Sequence, residues 1–223
     1  MTMPANKTFV FDVYGTLFDV HSIGTACETY FPGIGESISE TWRQKQIQYT
    51  FLRQAMGKYV PFSDVTRDAL RFAAELHGRP LTLREEDELL KAYQSLSLFP
   101  ESLEVLSNLK EKGHSLIVFS NGDPVMLHPL LEQAQITGYL DHILSVDTVK
   151  QYKPTPAAYN LILDAVEVPR SEIIFLSSNG WDISGAKAFG FTTAWINRSN
   201  QPVEGLHQPP HYEYSTLNPV TTW

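Results

Sequence analysis

Five short runs of mostly apolar residues predict the strands of a parallel β-sheet. The runs are apolar at consecutive rather than alternating positions, which is typical of strands covered by helices on both faces. Small polar residues directly follow the first, second, fourth and fifth runs, namely Asp12, Ser120, Ser177 and Asn197. The predicted strands cover residues 8–11, 115–119, 142–146, 173–176 and 192–196.

Segments with helical periodicity alternate with these strands. Residues 124–135, 156–166 and 182–189 separate the last four strands, and residues 102–112 precede the second. Gly113 and Gly190 follow two of these segments, where glycine commonly ends a helix. This alternation predicts right-handed crossovers and an α/β fold with a doubly wound parallel, Rossmann-like core.

Residues 18–98 interrupt the alternation, because they contain no convincing strand pattern. Helical periodicity covers residues 40–56, 63–77 and 82–96, and the last of these begins with a capping box formed by Thr82 and Glu85. We therefore expect a helical cap domain at 18–98, inserted into a core made of 1–17 and 99–223. The tail after Asn197 is rich in Pro, Gln and His and is expected to form a loop.

The composition argues against some classes of binding partner but does not identify one. The 223 residues carry a formal net charge of −8, which disfavours nucleic acid as a partner, since its phosphates require a basic face. The apolar runs are far shorter than the ~20 residues of a membrane-spanning helix. The single cysteine, Cys27, excludes an intrachain disulfide and is expected to be a structural residue. We expect a cytoplasmic protein that does not bind membranes.

Small polar side chains follow three of the predicted strands. Asp12, the pair 120–121 and the segment 177–182 would meet at one edge, since ligands of open parallel sheets bind beyond the carboxyl ends of the strands. Each alone is more simply a turn former or a helix cap, whereas the whole set favours a site. Asp12 is either a cap or a nucleophile, with Gly15 allowing a tight turn and Thr16 donating to the carboxylate.

The motifs resemble those of the haloacid dehalogenase superfamily over nearly the whole chain. FDVYGTL at 11–17, SNG at 120–122, KP at 153–154 and SSNGWD at 177–182 are similar to its four motifs, in order and at fitting spacing. Within the superfamily the chain is most similar to the L-2-haloacid dehalogenases. WRQKQ at 42–46 and WINR at 195–198 add to that similarity.

This resemblance implies an enzyme that needs no cofactor or metal. The implied reaction is hydrolysis of short L-2-haloalkanoic acids to D-2-hydroxyacids, through an ester on Asp12 and with inversion. The partners would be a small halogenated carboxylic acid, water and a second copy of the chain in a homodimer. The implied catalytic residues are Asp12, Thr16, Arg43, Ser120, Lys153, Tyr159, Ser177, Asn179 and Asp182, and the implied substrate and halide contacts are Tyr14, Gln44, Ile47, Phe62, Asn121 and Trp181.

The residues alone leave a plainer alternative open for the two cations. Arg43 shares a helix face with Ile47 and Phe51. From such an apolar face an arginine usually extends its guanidinium group into water. Lys153 lies in a predicted loop, where a lysine is usually solvated. The resemblance instead makes Arg43 the halide acceptor and pairs Lys153 with Asp12, with Tyr159 in support. For each aromatic residue, core packing is the alternative.

Two other functions are compatible with the same fold. A magnesium-dependent phosphatase of the superfamily would carry acidic residues where this chain has Tyr14 and Asn179. This chain therefore offers too few of the carboxylate ligands that Mg²⁺ prefers. A member that binds organic anions without catalysis would not need the full polar set from Asp12 to Asp182. Activity that survives excess chelator would exclude the phosphatase. Trapping of a covalent adduct on Asp12 would exclude the member that only binds.

Overall fold

The protein is described by a computed structural model over residues 6–223, so residues 1–5 of the expected core lie outside the described part. In chain order the elements are β1 (Thr8–Phe11), β2 (Phe18–Asp19), α1 (Ile23–Tyr30), α2 (Gly35–Ala55), α3 (Phe62–Leu76), α4 (Leu83–Tyr93), β3 (Ser97–Leu98), α5 (Ser102–Glu111), β4 (Ser115–Ser120), α6 (Pro124–Gln133), β5 (His142–Ser145), α7 (Pro156–Ala165), β6 (Ile173–Ser177), α8 (Gly180–Phe189), β7 (Thr192–Ile196) and β8 (Tyr212–Tyr214).

Six parallel strands form the central sheet in the order β5-β4-β1-β6-β7-β8. All of β1 and β6 is buried, which explains why these strands are apolar at consecutive positions. Phe11 pairs with Val118 on one side and with Leu176 on the other. This register brings the carboxyl ends of the three central strands together, as the sequence predicts.

The five predicted strands are confirmed, with end points that differ by no more than one residue. The expectation that the tail is only loop is wrong, because β8 extends the sheet by pairing Ala194 with Tyr212. β8 has three residues, two of them exposed, so it lacks the apolar run that marks a buried strand. Gly190 ends α8 in the left-handed conformation at φ +106°, as predicted.

Four helices, α1 to α4, lie between β2 and β3 and cover the carboxyl edge of the sheet. The expectation of no strand in residues 18–98 is wrong at its two margins, where Phe18 pairs with Leu98 in a short antiparallel ribbon. These strands have two residues each, too few to show a pattern. Helix α1 was not predicted, and the Thr82–Glu85 capping box is confirmed. The domain boundaries at 18 and 98 stay a prediction.

The cap makes hydrogen bonds to core loops that follow β4 and β5. The Ser63 amide donates to Asp123 Oδ2 at 2.7 Å, and the Tyr152 amide donates to Gln54 Oε1 at 2.8 Å. Cys27 is fully buried, and burial raises the pKa of its thiol to about 12, which fits the structural role expected of it. Within residues 6–223, no helix is long and apolar enough to cross a membrane.

Candidate active site

Asp12 follows β1 and is the centre of a buried hydrogen-bond network. Its two carboxylate oxygens have different environments. Oδ1 contacts Lys153 Nζ at 3.0 Å, whereas Oδ2 accepts hydrogen bonds from Thr16 Oγ1 and Asn179 Nδ2 at 3.0 Å and from Ser177 Oγ at 3.3 Å. Only 5% of the Asp12 surface is exposed, so its carboxylate has little contact with bulk water. The hydrogen-bond donors and the Lys153 ammonium compensate its negative charge.

The turn after Asp12 depends on a glycine. Gly15 has φ +90°, a region that L side chains rarely adopt. A Cβ at this position would lie 2.8 Å from Ser178 Oγ and 3.4 Å from Arg43 Nη2. The close approach allows the Ser178 amide to donate to Thr16 Oγ1 at 2.8 Å, while Thr16 donates to Asp12. The turn therefore orients the hydroxyl that holds the carboxylate.

Lys153 is a buried cation between two carboxylates. Its Nζ lies 3.0 Å from Asp12 Oδ1 and 2.8 Å from Asp182 Oδ2, and it also lies over the Phe119 ring at 4.7 Å. Burial disfavours the charged amine, but the two carboxylates outweigh burial and raise the pKa of Lys153. The predicted pairing of Lys153 with Asp12 is present in the structure, and the lysine is not solvated.

Asp182, in the first turn of α8, is held by partners on both oxygens. Lys153 contacts Oδ2, and the Tyr159 hydroxyl donates to Oδ1 at 2.7 Å. Complete burial raises the pKa of Asp182 above the ordinary 3.8, although Lys153 opposes the shift. Burial and the nearby carboxylate also raise the pKa of the Tyr159 hydroxyl well above its usual value. Asp182 is therefore a stronger base than an exposed aspartate, and Tyr159 stays a donor.

Arg43 extends from α2 to the same site. Its Nη2 donates to the Tyr14 carbonyl and to Asn179 Oδ1, both at 3.1 Å. Because Asn179 donates to Asp12 with its amide nitrogen, one side chain separates the guanidinium from the carboxylate. Arg43 and Asn179 also line a cavity of about 370 Å³ together with Ser178. The guanidinium head is thus held at the site, and its role as halide acceptor stays a prediction.

The end of β4 contributes Ser120, and the loop that follows contributes Asn121. Ser120 Oγ accepts from the Gly122 amide at 3.0 Å, and Asn121 Oδ1 accepts from the Lys153 amide at 3.0 Å. The latter bond fixes the side-chain amide of Asn121 with its oxygen towards Lys153 and its nitrogen presented as a donor. Ser145 Oγ donates to the Gly122 carbonyl at 2.7 Å and so supports the loop from β5.

Aromatic rings form one wall of the site. The Tyr14 ring lies 5.8 Å from the rings of both Phe62 and Tyr93. The Tyr14 hydroxyl and the Trp181 indole N–H are buried and have no hydrogen-bond partner among residues 6–223. Trp181 meets Phe51 of the cap edge-on at 5.1 Å. These rings contribute apolar surface and two donors that have no partner among the described residues.

Two predicted contacts on α2 differ in burial. Ile47 is half-buried, and Gln44 is exposed. Their roles as substrate contacts stay predictions. The neighbouring Gln46, which the motif analysis left without a role, is fully buried instead. Tyr93, whose ring contacts that of Tyr14, was not predicted, because its position depends on how α4 packs against α2. Ser178 lies in the predicted segment 177–182, but the sequence assigned it no role.

The donor set does not fit a magnesium ion. Mg²⁺ requires near-octahedral oxygen ligands at about 2.1 Å. Among residues 6–223, Asp12 and Asp182 are the carboxylates of this hydrogen-bond network, and the Lys153 ammonium lies between them. Asn179 directs its amide nitrogen rather than its oxygen towards Asp12. Within the described chain, no group of three or more His, Cys, Asp or Glu side chains is arranged to hold a metal.

Comparison with known proteins identifies the family. The chain belongs to the haloacid dehalogenase-like hydrolase family, whose model matches residues 6–190. Its curated relatives include an (S)-2-haloacid dehalogenase of Pseudomonas sp. (strain YL), which is 44% identical over 96% of this chain and 92% of the relative. The resemblance recognised in the motifs is thereby confirmed.

Solved structures agree with this assignment. An L-2-haloacid dehalogenase with 45% identity has a TM-score of 0.95, and each chain is covered to 98%. The enzyme from Xanthobacter autotrophicus, with chloropropionic acid covalently bound, has a TM-score of 0.93 at 33% identity, with 97% of each chain covered. The predicted Rossmann-like core with an inserted helical cap is confirmed by these similarities.

Proposed function

We propose that this protein hydrolyses short L-2-haloalkanoic acids to D-2-hydroxyacids and halide through an ester on Asp12. The observation that carries the proposal is the unequal environment of the Asp12 carboxylate. Three hydroxyl or amide donors hold Oδ2, and a lysine ammonium contacts Oδ1. One oxygen is therefore ready to attack, while the other is surrounded by donors that stabilise negative charge.

In the first step, Asp12 Oδ1 attacks C2 of the substrate from the side opposite the halogen. The Oδ1–C2 bond forms, the carbon–halogen bond breaks, and the halide leaves with the bonding electrons towards Arg43. Asn121 Nδ2 and the unpartnered Trp181 N–H are further donors for the halide. The relative from Xanthobacter autotrophicus, solved with chloropropionic acid covalently bound, supports a covalent intermediate.

The substrate carboxylate would bind at the start of α6. Ser120 and the backbone N–H groups at this helix N-terminus are suited to an anion. Tyr14, Phe62, Ile47 and Gln44 would surround the short alkyl group. Lys153 supplies the positive charge that keeps Asp12 ionised beside an anionic substrate.

In the second step, water attacks the carbonyl carbon of the Asp12 ester. Asp182 takes the proton from this water, which Ser177 and Asn179 help to place, and Asp182 is suited to the task because burial raises its pKa. Negative charge develops on Oδ2, where Thr16, Ser177 and Asn179 donate.

Collapse of the adduct breaks the bond between the Asp12 carbonyl carbon and Oδ1. The leaving oxygen takes a proton from Lys153, which contacts Oδ1 and is reprotonated by Asp182, so the hydroxyacid is released. The new Asp12 carboxyl group then loses its proton to water. C2 is inverted once, so the L substrate gives the D product.

A single turnover in ¹⁸O-water, with enzyme in excess and a metal chelator present, tests this mechanism. We expect halide release, an unlabelled hydroxyl in the product and heavy oxygen in the peptide that contains Asp12. Label in the first-turnover product, with none in that peptide, would show direct attack by water. A reaction that stops in chelator would show that a metal takes part.

A homodimer is the second component of the proposal. Two large apolar side chains on the cap support it, since Leu52 is 47% and Met56 62% exposed one helical turn apart. A second copy that covers this pair would remove apolar area from water. Cytoplasmic location stays a prediction.

A further inference from the structure

The motif WINR at 195–198 has no part in the reaction steps described above, although it contacts the backbone of the site. Strand β7 pairs with β6 so that Trp195 is in register with Ser177. Trp195 is 3% exposed, and its indole N–H donates to the Ser178 carbonyl at 3.0 Å. A buried indole N–H requires such a partner, and this bond fastens the backbone directly after β6 to β7.

The Ser178 carbonyl and the Asn179 amide belong to one planar peptide group. The Asn179 amide N–H donates to Ser177 Oγ at 3.1 Å. Because the carbonyl and the N–H of a peptide group cannot rotate independently, the bond from Trp195 also fixes the direction of this N–H. One rigid group therefore links the indole of Trp195 to the hydroxyl of Ser177.

The Asn179 amide determines where the Ser177 hydroxyl proton points. An amide N–H can only donate, so Ser177 Oγ accepts from it and keeps its single proton for another acceptor. That acceptor is Asp12 Oδ2, at 3.3 Å. If the peptide group rotated, Ser177 would lose this constraint, and its hydroxyl could turn away from Oδ2.

Arg198, at the other end of the motif, anchors the turn that carries Thr16. Its Nη2 donates to the Thr16 carbonyl at 3.0 Å, its Nη1 donates to Glu101 Oε1 at 2.6 Å, and its guanidinium stacks 3.6 Å from the Phe99 ring. Two hydrogen bonds and a ring face fix the planar group. Thr16 is the second hydroxyl that donates to Asp12 Oδ2, so the motif anchors the backbone next to both hydroxyl donors.

We propose that Trp195 and Arg198 are positioning residues that aim two hydroxyl donors at Asp12 Oδ2 during hydrolysis of the ester. The donors are those of Ser177 and Thr16. The proposal rests on the proposed function, in which negative charge develops on Oδ2 in the second step. In the first step the carboxylate loses negative charge as Oδ1 attacks, so weaker donors on Oδ2 leave halide release nearly unchanged. The two residues therefore act selectively on the second step.

The test compares Trp195→Phe with Trp42→Phe in single turnovers of L-2-chloropropionate. Halide release gives the rate constant of the first step. Mass spectrometry of the quenched peptide that contains Asp12 gives the rate constant of ester decay. Trp42→Phe is the matched control, because it also removes a buried indole N–H, which donates to the Thr66 carbonyl at 2.8 Å inside the cap.

For Trp195→Phe we expect ester decay to slow by at least about 10-fold while halide release stays within about 3-fold of the wild-type protein. The ester then accumulates on Asp12. The control keeps its rate constant of ester decay within about 2-fold of the wild-type value. A merely structural role for Trp195 would lower the active fraction, and so the amplitudes, without changing either rate constant. Unchanged ester decay, or equal slowing of both steps, would overturn the proposal.

Arg198→Lys is the second variant, which also serves if Trp195→Phe does not fold. Lysine keeps the positive charge but lacks the planar fork that reaches both Thr16 and Glu101. The same selective slowing of ester decay is expected. Ester decay at the wild-type rate in folded Arg198→Lys would remove Arg198 from the proposed role.

Failure of the proposed function is recognised separately, because the wild-type protein would then release no halide or form no ester on Asp12. The positioning claim is in that case judged on a crystal structure of Trp195→Phe. An Asn179 amide turned away from Ser177 Oγ supports the claim. An amide that keeps its 3.1 Å contact to Ser177 Oγ contradicts it, whatever the activity.

Discussion

At the scale of single residues, the proposed reaction requires an oxygen atom at both terminal positions of the Asp12 side chain. We expect Asp12→Asn to abolish halide release while the fold is retained. The amide has nearly the same shape but is a far poorer nucleophile, and its nitrogen would face either Lys153 or three donors. Halide release and far-UV circular dichroism measure the two effects. Stable activity, with deamidation excluded by mass spectrometry, would remove Asp12 from the nucleophile role.

The glycine beneath Tyr14 gives a second prediction at this scale. A Cβ at Gly122 would lie 3.0 Å from Tyr14 Cε2 and 3.2 Å from Leu127 Cδ2, so we expect the Tyr14 ring to move away from it. We expect Gly122→Ala to lower kcat/KM for 2-chlorobutyrate by about 10-fold relative to chloroacetate, because the space for the alkyl group shrinks.

Gly24→Ala is the control for this change, since a Cβ there meets nothing within 4 Å and alanine is the better helix former. An equal loss on both substrates in Gly122→Ala would mean that Tyr14 does not limit substrate size. The prediction would then be wrong, although the close packing of Tyr14 on Gly122 would stand.

At the scale of elements, the sequence is most informative where burial imposes a pattern. The consecutive apolar residues of β1, β4 and β6 predict both the sheet and the edge at which Asp12, Ser120 and Ser177 meet. The strand β8 could not be predicted, because a short exposed edge strand needs no apolar run. The contact of Tyr93 with Gln46 was equally out of reach, since 47 positions separate the two and only helix packing joins them.

The contact between α7 and α8 gives a prediction on pH. Asp182 must be ionised to take a proton from water, so ester hydrolysis slows as pH falls through its pKa, which burial raises above 3.8. The Tyr159 hydroxyl bond stabilises the ionised form. Removing it in Tyr159→Phe raises that pKa further and moves the acid limb of the rate profile to higher pH.

Single-turnover decay of the ester, followed from acid to neutral pH, measures this shift. Tyr59→Phe is the control, because its hydroxyl donates to Asp147 at 2.8 Å, away from Asp182, and its acid limb should match the wild-type protein. A Tyr159→Phe profile that is lower at every pH but not displaced would assign Tyr159 to packing. Lys153 adds no second limb near neutral pH, since its pKa is raised by the two carboxylates.

At the scale of the whole molecule, the site is completed only where the cap meets the core. Asp12, Lys153 and Asp182 belong to the sheet side, whereas Arg43 arrives from α2 and donates to Tyr14 and Asn179. The motifs predict that Arg43 belongs to the site. The alternative, a solvated side chain, was excluded only by its contacts to Tyr14 and Asn179. The core side of the site is thus more readable from sequence than the cap side.

The exposed pair Leu52 and Met56, at the carboxyl end of α2, allows a test of whether two caps associate. We expect a mass in solution of twice the 25.2 kDa chain, and dissociation to single chains in the variant that carries both Leu52→Glu and Met56→Glu. Burial of each apolar side chain contributes about 1.5–3 kcal/mol, and a carboxylate in its place would be desolvated without a partner.

Leu83→Glu, at a residue 78% exposed on α4, is the control and leaves the mass unchanged. Light scattering over a dilution series decides the outcome. A wild-type protein that is a single chain at every concentration would contradict the dimer, and a dimer that survives both glutamates would place its interface on another surface.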